Sequence, residues 1–332
     1  TVTINGQFGN KALSITADMS AKQVADLVNQ NFDSTGVDAV ASTQVKLEAV
    51  ANAVTGSAGT VTVAFDLYGK NTEVVNVSAA ITTGTTKATS NVEPLRDAVN
   101  AYTSQTGIEA VLSQDKSNLI LTQAEGYDIK VVDVNFDLET DHDNPVVSMT
   151  SASSVAGTTL TVDDTTGVEA GDFLVVTSDH VQLPSGVYVV SVDSGTTLTL
   201  SEALPATYDA GATINAVNTS RALAITGLGD DETTAGMGVT VIDKDQETHS
   251  FDSARVTGQV TFASTAQFTI QADTEKGLFS TSPGSASLQK LSTVKLNTRE
   301  NAVNALDILD KAMDRINLER AKLGAIMSRM TK

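Results

Sequence analysis

The residues best suited to hold a metal ion lie in DVNFDLETDHDN, Asp133 to Asn144. Asp133, Asn135 and Asp137 alternate as at the start of a calcium loop, where carboxylate and carbonyl oxygens must surround a hard cation. The pattern then departs. Leu138 stands where that loop needs glycine for its sharp turn, and Asn144 where a bidentate glutamate belongs. Val132, Val134, Phe136 and Leu138 alternate instead with Asp133, Asn135, Asp137 and Glu139, the period of a strand with an acidic wet face. Asp141 and Asp143, in the following loop ETDHDN, remain as candidate ligands, and no metal or other cofactor is assigned. Asp163, Asp164 and Asp172, in VDDTTGVEAGD, read as turn residues whose carboxylates bond nearby backbone.

Catalytic constellations do not form. The histidines are His142, His180 and His249, and none belongs to an HExxH pair. There is no GxSxG elbow, no Walker loop and no GxGxxG opening a helix. Cysteine is absent, which removes disulfides, thiolate catalysis and Cys-based zinc sites. The expectation is a protein without enzymatic activity. Asn76-Val-Ser78 and Asn218-Thr-Ser220 fit the N-glycosylation triplet, a pattern that chance supplies readily in a chain so rich in Ser, Thr and Asn.

The bulk properties narrow the classes further. A net charge of −19 disfavours nucleic-acid binding by phosphate neutralisation. No apolar run is long enough to span a membrane. Tryptophan is absent and aromatics make up 4%, so aromatic-lined ligand pockets and sugar-stacking platforms are disfavoured. With 332 residues the chain can form several domains with cores of their own.

The strongest pattern is at the end. Ala302, Leu306, Leu309, Met313, Ile316, Leu323, Met327 and Met330 step by fours and threes, the a/d stripe of a helix that buries a narrow seam against another helix. Arg320 interrupts the stripe once. Asn297 or Thr298 can cap this helix, and Asn297 with Glu300 has capping-box spacing. A helix of about 30 residues is roughly 45 Å long. The other helical patterns, Ala21–Phe32 and Glu93–Thr103, span only a few turns and offer no partner of that length. The chain also opens on TVTING, already in strand alternation and without an initiator Met. A piece of a longer protein is therefore expected, with partner helices beyond its ends. The alternative is a surface helix lying on the β domains of this same chain.

Those β domains fill the rest. TVTING and ALSITA read as a hairpin, followed by a helix capped by Ser20 with Val24, Leu27, Val28 and Phe32 on one face. The segment VNQNFDSTGVDAV, Val28 to Val40, recurs without gaps as VNAYTSQTGIEAV, Val99 to Val111, 71 residues on. Each copy is a short helix, a turn at Thr-Gly and a strand, and the second continues into a hairpin around Glu125-Gly126. From Pro145 to Val217 short strands alternate with Gly/Asp/Ser turns and no helical period intervenes. The expected fold is α+β, mainly β, with small β-rich domains and a long C-terminal helix. The expected divisions are a first β-α-β unit (1–50), a second (51–144), an inserted all-β domain (145–217), a returning β segment (218–285), and a terminal region with the long helix (286–332).

The tail LSTVKLNTRENAVNALDILDKAMDRINLERAKLGAIMSRM resembles the start of the C-terminal conserved region of bacterial flagellin. There ST and ALD precede a helix bearing R..LGA..NR, matched here by Arg320, Leu323, Gly324, Ala325, Ser328 and Arg329. Ser328 replaces the usual Asn and Met330 a common Phe. The repeated VN.....TG[VI].AV units resemble the flagellin IN motif, and ARVTGQVTFASTAQFTIQAD resembles the β segment that leads back to the core. No resemblance covers Pro145 to Val217 beyond a loose likeness to small β modules of surface proteins. The resemblance implies a structural subunit of an extracellular bacterial flagellum, self-assembling with other flagellin subunits. It implies that Leu306, Leu309, Met313, Ile316, Arg320, Leu323 and Met327 pack the core helix, against N-terminal helices that would precede Thr1. It also implies an export chaperone and a filament cap as partners of the full-length protein, and a monomeric state for a piece lacking those helices. The hook–filament junction protein of the same family and a surface adhesin are the alternatives.

Overall fold

The computed structural model describes residues 1–16, 18–51, 59–84, 90–113, 116–136, 146–151, 157–176, 183, 186–204, 211, 213–217, 221–229, 235–242, 252–272, 284–286 and 299–330. The elements run β1 (Val2–Asn5), β2 (Asn10–Leu13), α1 (Ala21–Asn29), α2 (Phe32–Thr35), β3 (Val37–Ala51), β4 (Gly59–Tyr68), β5 (Val75–Thr83), α3 (Glu93–Asn100), α4 (Thr103–Thr106), β6 (Ile108–Leu112), β7 (Asn118–Gln123) and β8 (Ile129–Phe136). Then follow β9 (Val146–Thr150), β10 (Gly157–Thr161), β11 (Phe173–Val176), β12 (Val189–Ser194), β13 (Thr197–Leu204) and β14 (Thr213–Val217). The chain continues through β15 (Arg221–Leu228), β16 (Ala235–Ile242), β17 (Ala254–Val256), β18 (Gln259–Ser264), β19 (Thr269–Ala272), β20 (Gly284–Ser285) and α5 (Arg299–Met330). The fold is mainly β, with several small sheets and a long terminal helix, as the alternation of the sequence predicts.

The chain divides into two compact units, Thr1–Ala41 with Gln259–Lys332, and Ser42–Gly258. In the first, the sheet order is β2-β1-β19-β20, every neighbour antiparallel. Helix α1 forms because Val24, Ala25 and Val28 share one face and are buried. The predicted Ser20 cap is present: the Gln23 backbone N–H donates to Ser20 Oγ, and the Ser20 N–H donates to Gln23 Oε1 at 2.9 Å. Ile4, Val28, Val37, Ala39, Phe268 and Ile270 are central to the core of this unit.

The second unit holds a four-stranded sheet of order β5-β4-β8-β17, and a larger sheet in which β16-β15-β3-β7-β6 are successive neighbours. Between them lies a core built on Phe65, Leu67, Leu95, Leu119, Leu121 and Ile225. Residues 146–217 add two three-stranded sheets, β10-β13-β12 and β11-β14-β9. They close on their own core, in which Met149, Leu160, Leu198 and Ile214 are buried. Phe173 and Tyr188 meet edge to face at 5.7 Å, and with Val217 and Ala222 they join these sheets to β15.

One strand departs from its expected phase. Asp133 adopts φ 53°, and the β4–β8 register shifts between Ala64 and Asp66. Two residues of β8 therefore oppose one of β4, a bulge that turns the strand. Ile129 and Val131 are buried before it, Val134 and Phe136 after it. Val132, expected to alternate inward with Val134 and Phe136, is instead only half-buried.

The described strands also extend the sequence repeat. The sheets β2-β1-β19-β20 and β5-β4-β8-β17 have the same order. Ile4 opposes Ile270 as Leu67 opposes Val131. β18 pairs with β3 as β7 pairs with β6. Each copy is therefore two strands, a helix, a one-turn helix, a strand and two returning strands that enter different sheets, so the hairpin expected around Glu125-Gly126 does not form: β7 pairs with β6 and β3, whereas β8 pairs with β4 and β17. In the first copy those returning strands, β18 and β19, come only after residues 42–258. The second copy is nested inside the first.

Candidate functional site: the repeated unit and the terminal helix

The turn that defines each copy is held by side chains matched between the two. Gly36 and Gly107 close the one-turn helices at φ 71° and 70°, a left-handed conformation that glycine adopts without Cβ strain. Thr35 Oγ1 donates to the Asn31 carbonyl at 3.1 Å and accepts from the Val37 N–H at 3.2 Å. Thr106 repeats this with the Tyr102 carbonyl at 3.0 Å and the Ile108 N–H at 3.1 Å.

The helix then grips the strand. Asn29 Nδ2 donates to the Ala39 carbonyl at 2.9 Å, and the Ala39 N–H donates to Asn29 Oδ1 at 2.8 Å. Asn100 makes the same pair of bonds with Ala110, at 2.9 and 2.8 Å. Strand β6 is the outer strand of its sheet path. The Asn100 amide thus offers one donor and one acceptor to Ala110, as a further strand would, and satisfies an edge otherwise open to pairing. A second glycine packs behind each turn. A Cβ on Gly6 would stand 1.9 Å from the Thr35 carbonyl oxygen, and one on Gly69 would stand 2.4 Å from that of Thr106.

Sequence reasoning placed Asn29 and Asn100 in the repeat without assigning them these bonds. It missed Gly6 and Gly69, because their distances to the Thr-Gly turns differ between the copies and a gapless alignment stops short of them.

Helix α5 carries the predicted stripe, and the stripe is uncovered. Leu306, Leu309, Met313, Ile316, Leu323 and Met327 range from 42% to 66% exposed, and Arg320 is exposed beside them. The helix meets the first unit by another face. Ala305 is 2% exposed, and Ile308 and Ala312 are half-buried. Lys311 Nζ donates to Asp38 Oδ2, and Arg315 Nη1 donates to the Thr265 carbonyl at 2.7 Å. These four partners carried no sequence signal, since an ion pair between residues far apart in the chain has no local period.

The candidate ligands Asp141 and Asp143 lie outside the described residues, as do the three histidines, Asn218 and the Asn297/Thr298 cap. Asn76 is exposed on β5 and donates to Asp66 Oδ1 at 3.2 Å. Of the aspartates read as turn residues, Asp164 and Asp172 bond residues two or three positions away within their turns, whereas Asp163 binds the backbone at the end of β9. The Thr150 backbone N–H donates to Asp163 Oδ1 at 2.7 Å and is the main cause that holds this carboxyl below its ordinary range. Asp164 is lowered chiefly by the Thr166 hydroxyl, which donates at 2.7 Å. Asp172 is pushed up by burial, against the Glu169 N–H bond at 2.8 Å. Among the described residues no three His, Asp or Glu side chains converge as a metal cluster. No helix among them is long and apolar enough to cross a membrane.

Residues 62–125, from β4 through the turn after β7, match the family model of the flagellin hook IN motif. The match supports a flagellin-family protein, and that family is structural, not enzymatic. It falls on the second copy of the repeat, and the first copy reproduces its asparagine, threonine and glycine geometry. No curated protein matches the chain.

Proposed function

We propose that the chain is a structural subunit of the bacterial flagellar filament. The IN-motif match at residues 62–125 carries this reading, and the exposed heptad stripe on α5 supports it. In this role Leu306, Leu309, Met313, Ile316, Arg320, Leu323 and Met327 form the seam of a helical core shared with other helices of the flagellin assembly. The two IN units and the inserted β region, residues 145–217, form the outer surface of the filament. Their acidic charge keeps the distal parts of neighbouring subunits soluble and apart. An export chaperone and the filament cap complete the partners, and the location is extracellular, at the flagellum.

The test is immunogold electron microscopy of source cells, with antibody raised against this chain. Gold along the whole filament is the expected result. Gold confined to the filament base would reassign the chain to the hook–filament junction, and gold on the envelope alone would favour an adhesin.

A further inference from the structure

Helix α5 has two faces, and they do different things. The stripe from Leu306 to Met327 is open to solvent. The other face holds Lys311 and Arg315, four residues apart and so one above the other. Their partners stand on neighbouring strands: Asp38 on β3, and Thr265 immediately after β18, which pairs with β3. The two strands are tied together at this point, because Ser264 Oγ donates to the Gly36 carbonyl. Beyond Arg315 every side chain described on α5 is exposed.

We propose that Asp38 and the Thr265 carbonyl form a docking site that fixes the direction of α5 on the first IN unit, leaving the seam free for another helix. Two contacts one turn apart define an axis, which one contact cannot. Asp38 is suited to the task. Its Oδ1 is buried without a hydrogen-bond partner among the described residues, so the charge of the carboxylate is answered through Oδ2 by Lys311. The second copy supplies an internal comparison. Glu109 occupies the position of Asp38, is exposed, and has no ion pair among the described residues. An acid at this position is therefore not sufficient. The Thr265 carbonyl and the paired cations on α5 make the site. The role of the seam rests on the flagellin reading, but the docking site does not, and it is tested on the protein in solution without filaments.

The chain has no cysteine, so spin labels can be placed cleanly at Lys11→Cys on β2 and Asn317→Cys on the exposed part of α5. Pulsed dipolar spectroscopy should give one narrow distance distribution in the otherwise unchanged chain. Adding Lys311→Met and Arg315→Met should abolish that narrow peak and leave a broad distribution, because methionine keeps a similar helix propensity and removes only the docking groups. Asp38→Asn should broaden it in the same direction, and Glu109→Gln should leave it unchanged. A narrow, unshifted distribution in the Lys311→Met, Arg315→Met protein would overturn the proposal, and so would equal broadening by Glu109→Gln.

Discussion

The bracket between Asn100 and Ala110 allows a quantitative prediction. Replacing Asn100 with alanine removes two hydrogen bonds and leaves the N–H and carbonyl of Ala110 without their partners, at a residue only 3% exposed. Each bond contributes about 1 kcal/mol net, and a buried group left unsatisfied costs somewhat more. The loss should be about 2–3 kcal/mol. For a unit of this length about 1 kcal/mol corresponds to roughly 2–4 °C, so the second unit should melt about 4–12 °C lower. Urea denaturation followed by far-UV circular dichroism gives the free energy, and differential scanning calorimetry gives the shift. The substitution Asn100→Asp sharpens the test. Its carboxylate still accepts from the Ala110 N–H but opposes the Ala110 carbonyl with a second oxygen. Protonation restores a donor, so the folded-state pKa of the introduced carboxyl is raised above its unfolded value of about 3.9. Its stabilising contribution is then complete below that unfolded value and is lost as pH rises through the raised one. At neutral pH this variant should be about as unstable as Asn100→Ala, and it should recover towards the unsubstituted protein in acid. A loss below about 0.5 kcal/mol for Asn100→Ala would refute the idea that this amide stands in for a missing strand, since water would then serve Ala110 equally well.

Three further outcomes follow from the same geometry. Gly69→Ala places a methyl group 2.4 Å from the Thr106 carbonyl oxygen, which no rotamer change relieves, and should cost about 3 kcal/mol; Gly107→Ala, strained by its φ of 70°, should cost only about 1–2 kcal/mol in the same urea experiment. Asp172→Asn keeps an acceptor for the Glu169 N–H and removes a carboxyl whose folded-state pKa is raised by burial. That raised pKa favours the folded state below the unfolded value and ceases to do so as pH rises through it, so the variant should melt above the unsubstituted protein at neutral pH and lose that advantage in acid. Leu309→Asp with Met313→Asp alters only exposed positions of α5 and should shift the melting temperature very little, yet on the filament reading proposed above it should keep the protein out of filaments seen by electron microscopy.

What the sequence makes legible follows from how far apart the interacting residues lie. Helix α1 fills the first part of the pattern at Ala21–Phe32 but ends at Asn29, so Phe32, expected on the same face as Val24, Leu27 and Val28, falls in α2 and is 42% exposed; α3 lies within the pattern at Glu93–Thr103, and Ser20 caps α1 as expected. These are interactions over three or four residues, so they leave a period. The Thr-Gly turns are legible for the same reason, because a left-handed residue after a helix calls for glycine. The bulge at Asp133 is less so: the run from Val132 to Leu138 alternates without a break, and only pairing with β4 exposes the slip. The seam of α5 is legible as a stripe, whereas the docking of Lys311 on Asp38 is not, since it depends on bringing together residues 273 positions apart.

The nesting of one copy inside the other was the least legible feature, and its physics explains how the chain tolerates it. QVTFAS at β18 reads as one alternating strand among many, and nothing local says that it completes a unit begun at Val2. The insertion does not break the strand at which it enters. β3 continues for 15 residues, with Val37, Ala39 and Ala41 buried in the first core and Val45, Leu47 and Ala49 in the second. Because side chains alternate with a period of two, an uninterrupted strand can serve two cores in succession without a change of phase. The long excursion between Ala41 and Gln259 is then offset by the compactness of what it contains, since residues 42–258 form a unit with a core of its own. This arrangement has a direct consequence. The unit that carries the terminal helix is closed by strands from both ends of the inserted region, so the surface can be enlarged through that insertion while the docking of α5 on Asp38 and Thr265 is left in place.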